Sequence, residues 1–244
     1  MSGPWVAGVD GCRGGWAVVL RPIDSAGPLT CRLVARFADV LTAPEQPVVI
    51  AVDMPIGLPE RGSLGGRLAD RAARAGLGGR QSAVFAVPSR AAVQERDYGR
   101  ACAVALATSD PPRKVSKQTF NLFPKIREVD AEMSQALQAR VREVHPEVAF
   151  WMLNGARPLS EPKKVKSRPY PPGLALRREL LAQAGFPIDR LDAFRARSDE
   201  AGPDDILDAA ICSWTAARIA RGEARCFPAD PPRDATGLRM EIWG

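Results

Sequence analysis

The chain has 244 residues, of which 45% are hydrophobic and 6% aromatic, and its formal net charge is +6. This length suits one elaborated α/β domain, and the sequence has neither a long apolar run nor a basic leader, which predicts a cytoplasmic protein without a membrane span. Five scattered cysteines argue against a disulfide framework, and a histidine-type zinc site or a Ser-His-Asp triad would depend on the single histidine, His145. The basic surplus favours a polyanionic partner.

The first part of the chain predicts a sheet. Apolar stretches at Pro4 to Val9 and Trp16 to Leu20, with a glycine-rich turn between them, are typical of two strands in a hairpin. A third stretch, Cys31 to Phe37, completes a three-strand antiparallel meander. Val48 to Val52 is wholly apolar, as in a strand buried on both faces, and it ends at Asp53.

The rest of the chain is mostly helical. From about residue 60 to residue 140, segments rich in Ala, Arg and Leu predict a helical insertion rather than a separate domain. The segment VREVHPEVAF predicts a strand and then a helix that begins near Pro146, and the basic, proline-rich loop SEPKKVKSRPYPPG follows. A last helix is predicted from about Asp204 to Arg221. These elements predict a single α/β domain over residues 1–244, in which helices flank a mixed sheet of the meander and parallel strands.

Four acidic residues stand where such a fold can gather ligands. Asp10 and Asp53 each end an apolar strand, and ligands of open α/β sheets bind at strand ends. Asp205 and Asp208 are three residues apart and hence on one helical face, and Asp208 has apolar neighbours, where an unpaired carboxylate is costly. Structural roles stay open: Asp10 in a hairpin turn, Asp53 as a turn cap and Asp205 as a helix-start acid.

Oxygen ligands favour Mg²⁺ or Mn²⁺, and phosphodiester hydrolysis with two such ions needs three or four carboxylates to offset their charge. Glu147 fits two roles. The helix dipole favours an acid at a helix start. If the strand before Glu147 lies beside the strands of Asp10 and Asp53, its carboxylate would be a fourth metal ligand. His145 is more typical of a capping or structural histidine than of a base.

Six ordered motifs resemble the uncharacterised domain-of-unknown-function family (DUF429) described as predicted RNase H-like nucleases. They are GVDGCRGGWAVV, VDMPIGLPE, GGRQSAVFAVPSR, SKQTFNLFPKIREVD, VHPEVAFWMLNG and DDILDAAICSWTA, and they extend from about Gly8 to Trp214. The resemblance implies an RNase H-like sheet and a nuclease that depends on Mg²⁺ or Mn²⁺ and acts on DNA or RNA. The catalytic carboxylates that it implies are Asp10, Asp53, Glu147 and Asp208.

The last motif also resembles the terminal helix of the RuvC-type Holliday junction resolvases, in which two acids three apart join a strand-end Asp and a Glu in holding Mg²⁺. The metal set implied by this similarity is Asp10, Asp53, Asp205 and Asp208, with Asp53 where those enzymes carry Glu. The family's basic motifs imply residues that bind the substrate through phosphate contacts. They are Arg80, Ser82, Arg90, Lys117 and Lys125, to which the basic loop adds Lys163, Lys164 and Lys166. A solvated surface role stays open for each.

Two other functions stay open. A phosphotransferase or nucleotide hydrolase of the actin and sugar-kinase type also has an Asp-Gly hairpin in an RNase H-like core, but it needs two such halves and the chain has one recognisable half. A non-catalytic binding module would use the same fold with the acids in structural roles. The sequence leaves the choice between DNA and RNA open, as well as the oligomeric state, a dimer included.

Overall fold

The computed structural model describes residues 3–24, 28–166, 168–194, 196–197 and 199–244. Its strands are β1 (Trp5–Cys12), β2 (Gly15–Pro22), β3 (Thr30–Val34), β4 (Val49–Asp53), β5 (Gly62–Ser63), β6 (Ser109–Asp110), β7 (Val141–Glu143), β8 (Lys164–Val165), β9 (Arg168–Pro169), β10 (Cys226–Phe227) and β11 (Ile242–Trp243). Within the described ranges, the main sheet has five strands in the order β3-β2-β1-β4-β7.

The main sheet is mixed. β1, β2 and β3 form an antiparallel meander, whereas β4 runs parallel to β1 and β7 runs parallel to β4. The predicted α/β class, with a meander, parallel strands and flanking helices, is therefore confirmed. The strand order is compatible with an RNase H-like fold.

The helices are α1 (Phe37–Leu41), α2 (Leu68–Arg74), α3 (Arg90–Gln94), α4 (Tyr98–Ala107), α5 (Lys117–Glu132), α6 (Pro146–Leu153), α7 (Pro171–Gln183), α8 (Ile188–Ala193) and α9 (Pro203–Arg221), and short 3-10 helices occur at Gly78–Ala83 and Leu137–Ala139. α2 to α5 lie in the segment predicted to be a helical insertion. α6 and α9 agree with the helices predicted near Pro146 and from Asp204 to Arg221. No helix of the described ranges combines the length and the apolar composition that crossing a bilayer requires.

The predicted first hairpin differs from the observed one. β1 continues to Cys12, so that Asp10 lies inside the strand and pairs with Ala17 of β2. The turn consists of Arg13 and Gly14 instead. The alternative in which Asp10 forms an Asp-Gly hairpin turn is therefore wrong, and the prediction that Asp10 ends its strand is off by two residues.

Two further elements differ in extent from the prediction. The third strand ends at Val34, because Phe37 begins α1 and packs in the core, with its ring centroid 5.2 Å from that of Trp16. The basic loop contains the short antiparallel hairpin of β8 and β9. One residue of that loop, Ser167, lies outside the described residues.

Apolar layers cover both faces of the sheet. Val9 packs with the α5 side chains on one face, whereas Val6 and Ala51 pack with α9 on the other. Because successive side chains of a strand point to opposite faces, Asp10 and Asp53 share the face of Val6 and Ala51. The strand acids therefore project towards α9.

Candidate active site

Two carboxylates stand side by side at the centre of the sheet. In the parallel pairing of β1 and β4, Asp10 lies directly opposite Asp53. Paired residues of neighbouring strands project to the same face of a sheet, which places both side chains under α9. Asp10 is buried and Asp53 is half-buried. The sequence prediction that these two acids converge is therefore correct in its geometry.

Gly8 allows α9 to reach these acids. A Cβ atom at Gly8 would lie 2.0 Å from the carbonyl oxygen of Ala209 and 2.1 Å from the amide nitrogen of Ser213. Only a residue without a side chain permits such an approach of helix backbone to strand. Asp208 precedes Ala209 and is 1% exposed, and its Oδ1 atom has no hydrogen-bond partner among the described residues.

The four acids that we call the acidic cluster are Asp10, Asp53, Asp205 and Asp208. Burial, with the charges of Asp53 and Asp208, raises the pKa of Asp10 well above its ordinary value. Burial likewise raises the pKa of Asp208 to about 7, although the nearby Lys163 opposes the shift. Burial raises the pKa of Asp205 as well, against the hydrogen bond that it accepts from the Gly202 amide at 2.8 Å. The cluster is thus short of positive charge.

The basic loop provides two counter-charges. The ammonium of Lys163 forms an ion pair with Asp208, and that of Lys164 forms one with Asp204 at 2.6 Å. Burial lowers the pKa of Lys163, but the surrounding carboxylates, Asp208 first, outweigh burial and raise it. Lys163 is therefore charged, and it is the cation that the cluster holds in this conformation.

The acidic cluster fits a hard divalent cation by its donor chemistry. Its donors are carboxylate oxygens, which Mg²⁺ and Mn²⁺ prefer, and the buried Oδ1 of Asp208 lacks any described donor. In the part of the chain that the structure describes, no group of three or more His, Cys, Asp or Glu side chains is already arranged to hold a metal ion. The fit therefore rests on charge and donor type, with Lys163 lying against Asp208.

A cavity of about 630 Å³ lies beside the cluster. This volume is within the usual range for small-molecule sites. Part of its wall is apolar, formed by Met54, Phe85 and Leu122 among others. The predicted site residues that line it are Asp10, Asp53, Arg80, Ser82, Glu147, Lys163, Lys164 and Asp205. The fold thus brings most of the predicted set to one place.

Three predicted substrate contacts do not line this cavity. Arg90 forms ion pairs with Asp130 and, at 2.7 Å, with Asp234. Lys117 and Lys125 each lie over an aromatic ring, with the ammonium 4.4 Å from the ring centroid. None of the three lines the described cavity walls. Their role in binding a substrate stays a prediction.

Glu147 lies at the start of α6 on the cavity wall, close to a buried cation. Its Oε2 accepts a hydrogen bond from the Arg177 guanidinium at 2.7 Å, and its Oε1 is buried without a described partner. The backbone amide of Glu147 donates a hydrogen bond to Nδ1 of His145 at 3.2 Å, so that His145 caps the start of the helix. The capping role predicted for His145 is confirmed, and Glu147 has an ion-pair partner that the sequence analysis did not identify.

The sequence analysis missed a buried triad next to the cluster. Arg67 pairs with Glu143 at 2.5 Å and with Asp70 at 2.8 Å, and it also donates to the carbonyl of Ile56 at 2.9 Å. Burial raises the pKa of Glu143 to about 7 against the charge of Arg67. These bonds fix the turn that follows Asp53. One signal for Glu143 was available, since it ends a strand as Asp53 does.

In a comparison with known protein families, one family model matches the chain. The family model described as "Protein of unknown function (DUF429)" matches residues 8–233. The matched segment contains the acidic cluster, the basic loop and the buried triad. No curated protein and no solved structure matches the chain.

Proposed function

Because the chain belongs to the DUF429 family, a family of unknown function, we propose its activity from its own site: hydrolysis of phosphodiester bonds in a nucleic acid with Mg²⁺ or Mn²⁺. The observation that carries the proposal is the pairing of Asp10 with Asp53 on parallel strands, beneath the buried Asp208 of α9. Carboxylates so buried require a cation or hydrogen-bond donors. We also propose a cytoplasmic location, which the five free cysteines support.

The residues divide into a cation-holding set and a substrate-holding set. Asp10, Asp53, Asp205 and Asp208 would hold the cation. A bound Mg²⁺ or Mn²⁺ would lower the pKa of a water molecule and offset charge on the phosphate. Lys164 and Arg80 on the cavity wall would attract and orient the phosphate, since cationic side chains make the dominant contacts to nucleic-acid backbones. The apolar part of the cavity wall would exclude bulk water from the reacting group.

A nucleotide-directed hydrolase or phosphotransferase is the second candidate, and the cavity volume favours it. About 630 Å³ suits a ligand of nucleotide size better than the long groove that a duplex would need. The same carboxylates would hold the cation in both cases, so the two functions differ in substrate rather than in the site.

Cleavage assays with Mn²⁺ on labelled linear, single-stranded, hybrid and branched DNA and RNA, with ATP hydrolysis in parallel, test these functions. Asp10→Asn and Asp208→Asn should abolish turnover. Asp230→Asn is the matched control, because Asp230 is exposed and does not line the cavity. Nucleic-acid cleavage that only the cluster variants lose supports the nuclease. ATP turnover alone supports the second candidate, and the absence of any turnover favours a binding module.

A further inference from the structure

Lys163 is half-buried and lies on the wall of the site. Its ammonium forms an ion pair with Asp208, a residue that is 1% exposed, and it lines the same cavity as Asp10 and Asp53. Lys166, three residues further along the same loop, is exposed and forms no ion pair with a described residue. Lys163 thus differs from both neighbouring lysines, because it pairs directly with Asp208 of the cluster, whereas Lys164 pairs with Asp204 at 2.6 Å.

A buried arginine holds the chain on one side of Lys163. The Arg177 guanidinium, 1% exposed, donates to the carbonyl of Glu161 at 3.1 Å and to the carboxylate of Glu147 at 2.7 Å. It therefore ties the basic loop to the start of α6 through an ion pair that solvent does not screen.

The chain on the other side of Lys163 is also fixed. The Tyr170 amide donates to the carbonyl of Lys163 at 2.9 Å. Pro162 packs so closely on α7 that a Cβ atom at Gly173 would lie 1.8 Å from the Pro162 carbonyl oxygen. The backbone of Lys163 is consequently part of the packed structure, and the ion pair with Asp208 holds its ammonium in the site.

We infer that the acidic cluster takes one divalent cation and that the Lys163 ammonium is a built-in second cation, in the place where a two-ion site would bind another metal. This inference rests on the proposed function, since it concerns the same carboxylates. With Lys163 paired to Asp208, one divalent ion brings three positive charges to four carboxylates, whereas two ions would bring five. The oxygens left for the ion are those of Asp10, Asp53 and Asp205, together with the Oδ1 of Asp208 that Lys163 does not engage.

The number of Mn²⁺ ions bound per chain tests this inference without any activity assay. Equilibrium dialysis followed by metal analysis, with the electron paramagnetic resonance signal of free Mn²⁺ as a second readout, should give one ion per wild-type chain. Two ions per chain would overturn the inference and leave the proposed function standing. The absence of any bound ion would refute both the inference and the proposed function. This measurement needs no variant, so it does not depend on how a variant folds.

Lys163→Met provides the matched test of the lysine. We expect this variant to bind Mn²⁺ at least about tenfold more tightly, the size expected for removing one positive charge beside a divalent ion even at water-like screening. Lys166→Met makes the same charge change on the same loop and should stay within about twofold of wild type, because exposed charges are screened. Circular dichroism verifies that both variants fold, and Lys163→Gln serves as a second substitution. Unchanged affinity in both folded Lys163 variants would overturn the inference.

Discussion

Gly8→Ala tests whether the close approach of α9 to β1 builds the site. The new Cβ would lie 2.0 Å from the Ala209 carbonyl oxygen, whereas ordinary contact begins at 3.4 Å, so α9 must retreat by roughly the difference, 1.4 Å. Overpacking a tight core costs about 1–3 kcal/mol. The opposing atoms are backbone atoms of a 19-residue helix, which cannot rotate aside as a side chain can. We therefore expect Gly8→Ala to lower the free energy of unfolding by about 3 kcal/mol, the upper end of this range. The same retreat carries Asp208 away from Asp10.

Urea unfolding, followed by circular dichroism, measures the change in the free energy of unfolding, and Mn²⁺ binding measures the change in the site. A displacement of about 1 Å is enough to reduce turnover roughly a hundredfold. Gly79→Ala is the control, because a Cβ there meets nothing within 4 Å, and its free energy of unfolding should change by less than about 0.5 kcal/mol. If Gly8→Ala were as neutral as Gly79→Ala, the packing argument would be refuted.

Three further predictions concern charged residues. Asp10→Asn should stabilise the metal-free protein at pH 8, because burial and the neighbouring carboxylates raise the pKa of Asp10 and so disfavour its charged form. At low pH the Asp10 carboxyl is protonated in both the folded and the unfolded state, so the cost of burying its charge disappears. The increase in unfolding free energy caused by Asp10→Asn should therefore be smaller at pH 4 than at pH 8, and a larger increase at pH 4 would contradict this prediction. Arg67→Met should lose about 3–5 kcal/mol in denaturant unfolding, since it leaves Glu143 and Asp70 buried without a counter-charge, and a loss below about 1 kcal/mol would refute this reasoning. Arg90→Ala should lower the melting temperature but leave substrate binding unchanged, because its ion pairs lie outside the cavity; the reverse pattern would identify it as a substrate contact.

The meeting of Asp10 and Asp53 could be predicted because its causes are local in the sequence. Each acid follows a short apolar run, and strands of this kind bring their ends to the same edge of a sheet. The position of Asp208 was also predictable, since a carboxylate among apolar neighbours in a helix needs a partner. The local pattern did not predict where β1 ends. β1 continues beyond Asp10 because it remains paired with β2, in which Ala17 lies opposite Asp10.

The partners of the charged residues could not be predicted from the sequence. Lys163 was assigned to phosphate binding because a basic loop shows its charge but not the carboxylate that it faces, which is Asp208 of α9. The partner of Glu147, Arg177, is 30 residues away and meets it only through helix packing. Arg67 was overlooked in part for the same reason, since one of its acids, Glu143, is 76 residues away on β7, although the other, Asp70, is only three residues away. Pairing of this kind is a property of the packed chain and not of any segment.

The acids of the cluster come from opposite ends of the chain. Asp10 is in the first strand and Asp208 is in the last helix, about 200 residues later. A polypeptide still being synthesised contains β1 and β4 long before α9 has left the ribosome, and synthesis at about 5–20 residues per second separates the two events by roughly 10–40 seconds. During that interval the strand acids lack the helix that completes their site. Under the proposed function, cation-dependent cleavage would therefore require a chain that already includes α9, and a product truncated before α9 should be inactive.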